Sequence, residues 1–204
     1  AMNGALYNTG VGYAALSSLT TGDRNTAVGY QALTTCSTGE ENVAIGRGSL
    51  DAAVSASYNI AIGTNALGAV DDGETFNIAI GYDAMGNANN GTTDSNIVIG
   101  GYAGDAFSTA AVEGTVLIGH QAGSAMNHAD DSYQVCIGYQ SGLTLAGSLS
   151  SVMVGNRAGR GVTTGQANTA IGHEAMSAAS ATDMNSNTAV GYKAMLSESN
   201  ASTA

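Results

Sequence analysis

The sequence predicts an all-β protein, a parallel β-solenoid of about eleven coils, and three observations predict it. A phrase of the form Asn-x-Ala-(Val/Ile)-Gly-x-x-Ala-(Leu/Met) recurs with substitutions in eleven copies, from Asn8–Leu16 to Asn187–Met195. Its glycines, from Gly12 to Gly191, follow one another at intervals of 17 to 19 residues. Each copy also carries an apolar triplet rich in β-branched residues and too short for a helix. Self-similarity at this period marks a stacked array in which one repeat cannot bury its own apolar face and needs its neighbours. The whole chain, 1–204, reads as a single repeat domain, with the array over about 8–195 and a tail over 196–204.

Every repeat divides into a nine-residue phrase of fixed length and a connector of 8 to 10 residues that absorbs the variation. The phrase opens on Asn, whose side chain can bond nearby backbone in a turn. A short strand follows, as in Val43-Ala44-Ile45, Ile60-Ala61-Ile62 and Ile78-Ala79-Ile80. The Gly that closes it can take a positive φ where the chain bends. With strands about 4.8 Å apart, eleven coils make a rod roughly 50 Å long.

Successive residues of a strand point to opposite faces. The outer members of the triplets, such as Ile62, Ile80 and Ile99, form one β-branched ladder, and the expectation is that it fills the inside of the coil. The middle members read Ala27, Ala44, Ala61, Ala79, Val98, Leu117, Cys136, Met153, Ala170 and Ala189. They are apolar as well, so both faces call for cover. Candidate subunit-interface residues are therefore Ala61, Val98, Leu117, Cys136 and Met153.

A correlation ties two positions together. Where the middle residue exceeds Ala, at Val98, Leu117, Cys136 and Met153, the ninth residue of the phrase is Gly104, Gly123, Gly142 or Gly159; elsewhere it is Leu or Met, as at Leu33, Leu67 and Met176. Large against small is what one close-packed layer demands.

Composition argues against an enzyme. Of 204 residues, 29 are Gly, none is Pro or Trp, and only 10% are charged, with a formal net charge of −11. That surface repels nucleic acid and anionic membranes. No stretch is long and apolar enough to span a bilayer, so no membrane insertion is expected. The residues Ala1 to Gly4 lack the charged and apolar regions of a leader, and the expectation is that the sequence is part of a longer protein. Cys36 and Cys136 lie six coils apart, too far for a disulfide.

The phrase Asn25-Thr26-Ala27-Val28-Gly29-Tyr30-Gln31-Ala32-Leu33, with Asn42-Val43-Ala44-Ile45-Gly46 and Asn168-Thr169-Ala170-Ile171-Gly172, resembles the head repeat of trimeric autotransporter adhesins. It is also similar to repeats of phage tail fibres. The resemblance covers about Asn8 to Met195 and implies a left-handed parallel β-roll in which three chains associate around a common axis as an attachment head. It implies an extracellular place, at a cell or virion surface, and a partner that is a host-surface receptor, an extracellular-matrix receptor or a glycan. No cofactor is implied.

Other chemistries have weaker signals. Ile45-Gly46-Arg47-Gly48-Ser49-Leu50 satisfies the loose hexapeptide pattern of left-handed β-helix acyltransferases, for which His120, His128 and His173 are the only candidate catalytic histidines. The pattern appears once per coil and the connectors do not continue it. An ice- or surface-binding solenoid would need an ordered Thr-x-Thr ladder, and Thr is irregular here. Candidate cation ligands are Asp71, Asp72 and Glu74 in one connector and His128, Asp130 and Asp131 in another. The Tyr residues after the repeat Gly form a candidate sugar-stacking stripe, and the connectors are the expected place for binding.

Overall fold

A computed structural model describes residues 4–70, 73–89, 93–108, 111–128, 131–177 and 184–196. The repeat triplets are strands: β1 (Thr9–Val11), β2 (Thr26–Val28), β3 (Val43–Ile45), β4 (Ile60–Ile62), β5 (Ile78–Ile80), β6 (Ile97–Ile99), β7 (Val116–Ile118), β8 (Val135–Ile137), β10 (Val152–Val154), β12 (Thr169–Ile171) and β13 (Thr188–Val190). They form one eleven-stranded parallel sheet in chain order. Two extra strands, β9 (Ser148–Leu149) and β11 (Gly165–Gln166), pair with each other along a second wall. Equivalent residues stack in register, Ala44 on Ala61 and Val98 on Leu117, so the chain is a parallel β-solenoid.

The repeat Gly is required twice over. Gly29 and Gly46 have φ of +143° and +135°. A β-carbon on either would also overlap the carbonyl of the next repeat Gly. Three further corners per coil use left-handed backbone, most of them without glycine, as at Arg24, Gln31 and Leu33 with φ of 52° to 56°. Such positions cost about 1–2 kcal/mol each in isolation, so the stack above and below has to hold them.

The Asn of each phrase does more than favour a turn. Asn25 Nδ2 donates to the Gly39 carbonyl at 2.8 Å, which ties the start of its coil to the end. Its Oδ1 accepts from the Asn42 backbone N–H at 3.0 Å, which ties that coil to the next. Asn42, Asn59 and Asn77 repeat the arrangement, all buried. In three successive coils the position is Thr115, Gln134 and Ser151 instead. Gln134 reaches the Ser148 carbonyl with Nε2 and accepts the Ser151 N–H with Oε1.

The interior corrects the expected strand register. The middle residues Ala27, Ala44, Ala61, Ala79, Val98, Leu117, Cys136 and Met153 are wholly buried, whereas Ile62, Ile80 and Ile99 are only half-buried and Ile45 is 39% exposed. The coil is narrow, and opposite the strand stand Leu33, Leu50, Leu67 and Met85, also fully buried. That wall leaves room for a methyl group at the strand, so the larger β-branched side chains face out. A further ladder, three residues beyond the ninth position, completes the core: Leu19, Cys36, Ala53, Val70, Ala88, Phe107, Met126, Leu145 and Val162. Connectors of varying length and largely polar composition conceal this ladder in the sequence.

The exchange of large for small is a packing relationship in three parts. A β-carbon on Gly142 would lie 2.5 Å from Cys136 Sγ and 2.7 Å from Leu145 Cδ1, and one on Gly159 would collide with Met153 Sδ. A β-carbon on Gly104 would meet Phe107 and, from the next coil, Leu117, rather than Val98 of its own strand. Volume removed at the ninth position is thus refilled by the strand and connector residues around it.

Candidate functional site

Because the large members of each triplet point outward, the sheet presents a ribbon two side chains wide along the rod. It includes Val43, Ile45, Ile60, Ile62, Ile78 and Ile80, and continues to Val190, which is 66% exposed. A ribbon about 50 Å long and 10 Å wide has an area on the order of 500 Å². A contiguous apolar ribbon of that size is comparable with the largest patch of an ordinary monomer, a kind of surface that is often functional.

Aromatic side chains flank the strands in sequence on both sides. Before the phrase stand Tyr58 and Phe76, stacked at 5.1 Å. After the repeat Gly, Tyr13 stacks on Tyr30 at 5.3 Å and His173 on Tyr192 at 5.4 Å. The longest run joins Tyr82, Tyr102, His120 and Tyr139, with centroids 5.2, 5.9 and 5.7 Å apart, and ends with the Arg157 guanidinium 5.9 Å over Tyr139. His120 and His173 are therefore members of ring ladders.

Beside Tyr102 the wall opens into a groove of about 400 Å³. Its cause is visible in one column of the repeat, where Gly68 and Gly86 omit the side chain between Asp51 and Asp105. Asn65, Asp83 and Asn87 complete its polar lining, and the lining contains no basic residue. Asn87 Nδ2 donates to the Asp105 carbonyl at 2.8 Å. Burial pushes the carboxyls of Asp51 and Asp105 above their ordinary range; Arg47 partly offsets this at Asp51, and the charge of Asp83 adds to it at Asp105.

The predicted site residues fall out differently. Ala61, Val98, Leu117, Cys136 and Met153 are fully buried within their own chain and cannot reach a neighbouring subunit. The strand alternates as expected, but with the middle residues facing inward and the outer ones outward. Asp131 is buried and accepts four backbone N–H bonds, from Asn127 and His128 at 2.9 Å, Gly147 at 2.7 Å and Ser148 at 3.1 Å. It is an anchor for its connector, whereas His128 lies exposed at the surface. Glu74 is buried, and its carbonyl accepts from Asn59 Nδ2. Asp71, Asp72 and Asp130 lie outside the described residues. Among the described residues, no three His, Cys, Asp or Glu side chains converge as metal ligands.

No family model, no curated protein and no solved structure matches the chain.

Proposed function

We propose that this chain is a non-enzymatic structural and adhesive rod, the head or shaft of a surface adhesin or viral tail fibre outside the cell. Copies of the chain associate through the exposed ribbon, and the connectors face outward for attachment. The observation that carries this reading is the unbroken β-branched ribbon itself. Its area, on the order of 500 Å², approaches the roughly 800 Å² per partner of a standard stable interface once the flanking aromatics are added. The likeness of the repeat phrase to the adhesin head repeat supports three copies. Its polar, variable connectors on a rigid scaffold support attachment.

Light scattering tests the reading. The expected mass at micromolar concentration is three chains, and Ile62→Asp with Ile80→Asp should reduce it to one while the β-type circular dichroism is kept. The original protein running as a monomer would overturn the assembly. Leu117→Asp, by contrast, should unfold the rod, since it buries an unpaired charge inside a coil.

A further inference from the structure

We propose that the groove beside Tyr102 is a binding site for a short, non-acidic glycan. This deepens the attachment role proposed above by naming the ligand class and the face that takes it.

Two independent features of the coil produce the site. The first is the missing side chains at Gly68 and Gly86, which leave a trough between Asp51 and Asp105. These two lie three coil steps apart, so the trough runs about 14 Å along the rod, enough for an oligosaccharide lying parallel to its axis. The second is a shifted aromatic. In the coil that begins at Asn96, Gly101 occupies the place after the repeat Gly where five other coils carry Tyr and two carry His, and the ring appears one residue later at Tyr102. That column otherwise reads Ala14, Gln31, Gly48, Asn65, Asp83, Gln121, Gln140, Arg157, Glu174 and Lys193, so Tyr102 is its only aromatic. Its backbone is left-handed, φ 57°, and its ring is turned 65° and 75° from Tyr82 and His120. The ring thus stands edge-on within the ladder and lines the groove.

The chemistry selects the ligand. Asp51, Asp83 and Asp105 can accept hydrogen bonds from adjacent hydroxyls, and Asn65 and Asn87 can donate as well as accept. An aromatic ring at the edge of a polar trough supplies an apolar surface for the C–H face of a sugar ring. With no basic side chain in the lining, carboxylated or sulfated sugars are repelled. The volume is in the range of small-molecule sites.

An immobilised panel of defined neutral, sialylated and sulfated oligosaccharides, with an oligolysine peptide as a control, tests the site. The expected result is binding confined to neutral oligosaccharides. Tyr102→Gln and Asp105→Asn should each weaken it at least tenfold with the melting temperature unchanged; Gln already occupies the Tyr102 column at Gln121 and Gln140. Binding to acidic sugars, to oligolysine alone or to nothing would overturn the proposal, as would full binding by both variants. The Ile62→Asp, Ile80→Asp rod separates this site from the assembly. Neutral-sugar binding that persists in a protein whose original form is monomeric would sustain the groove while sinking the trimer.

Discussion

Gly123 has no side chain because Leu117 fills the space. A β-carbon on Gly123 would lie 2.9 Å from both Leu117 methyl carbons and 2.6 Å from Met126 Sδ. The strand, the ninth position and the connector of one coil therefore share a single layer. Gly123→Ala should destabilise by about 1–3 kcal/mol from overpacking, with a further contribution from its φ of 58°. Adding Leu117→Ala should recover part of that loss. A double-mutant cycle by urea denaturation would read the coupling, and strictly additive effects would refute the shared layer.

The Asn ladder predicts a second, differently distributed effect. Asn42→Ala leaves the Asn59 N–H and the Ala56 carbonyl without their partners inside the rod. Each buried unsatisfied group costs about 1–3 kcal/mol, so the variant should lose several kcal/mol. Hydrogen exchange should show the Asn59 amide losing protection first. Unchanged protection there would mean that the side chain does not carry the coupling.

Thiol chemistry follows from the narrow core. Burial, reinforced by the charge of Asp131, pushes the Cys136 thiol up to about 12, and burial raises Cys36 as well. Both should resist a thiol-specific reagent at pH 8 until the rod unfolds. The sign for stability follows from the raised folded value. The native state keeps its proton where the unfolded chain loses one, so this contribution is intact below about pH 9 and is lost as pH rises toward 12. Cys136→Ser should lessen that alkaline loss. Rapid labelling of native protein would contradict the burial.

Asp131 should behave as a structural residue. Asp131→Ala removes the acceptor of four backbone N–H groups and should cost roughly 2–4 kcal/mol. His128→Ala should change stability little. Thermal melts of the two variants would distinguish them, and equal melting temperatures would show that the connector does not depend on its carboxylate.

Much of the architecture was legible because the phrase is fixed in length, its Gly recurs where a β-carbon would not fit, and Asn opens eight of its eleven copies. The volume exchange at Leu117 and Gly123 was legible for the same reason, since packing leaves a trace in composition. The choice of face was not. Ile62 and Ile80 look like core residues by hydrophobicity, but the wall of Leu67 and Met85 occupies the interior and leaves the strand room only for Ala61 and Ala79. Hydrophobicity alone cannot tell a side chain buried by its own chain from one that awaits another surface. The connector ladder from Leu19 to Val162 was hidden by polar neighbours, although it keeps a constant offset of three from the ninth position. The groove depended on Tyr102 moving one place relative to the other aromatics, which becomes meaningful only when coils lie side by side.

In most coils an Asn fastens the end of the coil to its own beginning, which makes much of the rod a row of separately latched loops. Pulled from one end, such a row should yield one loop at a time. Each released loop of 17 to 19 residues supplies about 60 Å of extended chain while removing only about 5 Å of rod. An anchored fibre built this way would lengthen under a sudden load in discrete steps, dissipating work at each latch while the loops beyond the break stay closed.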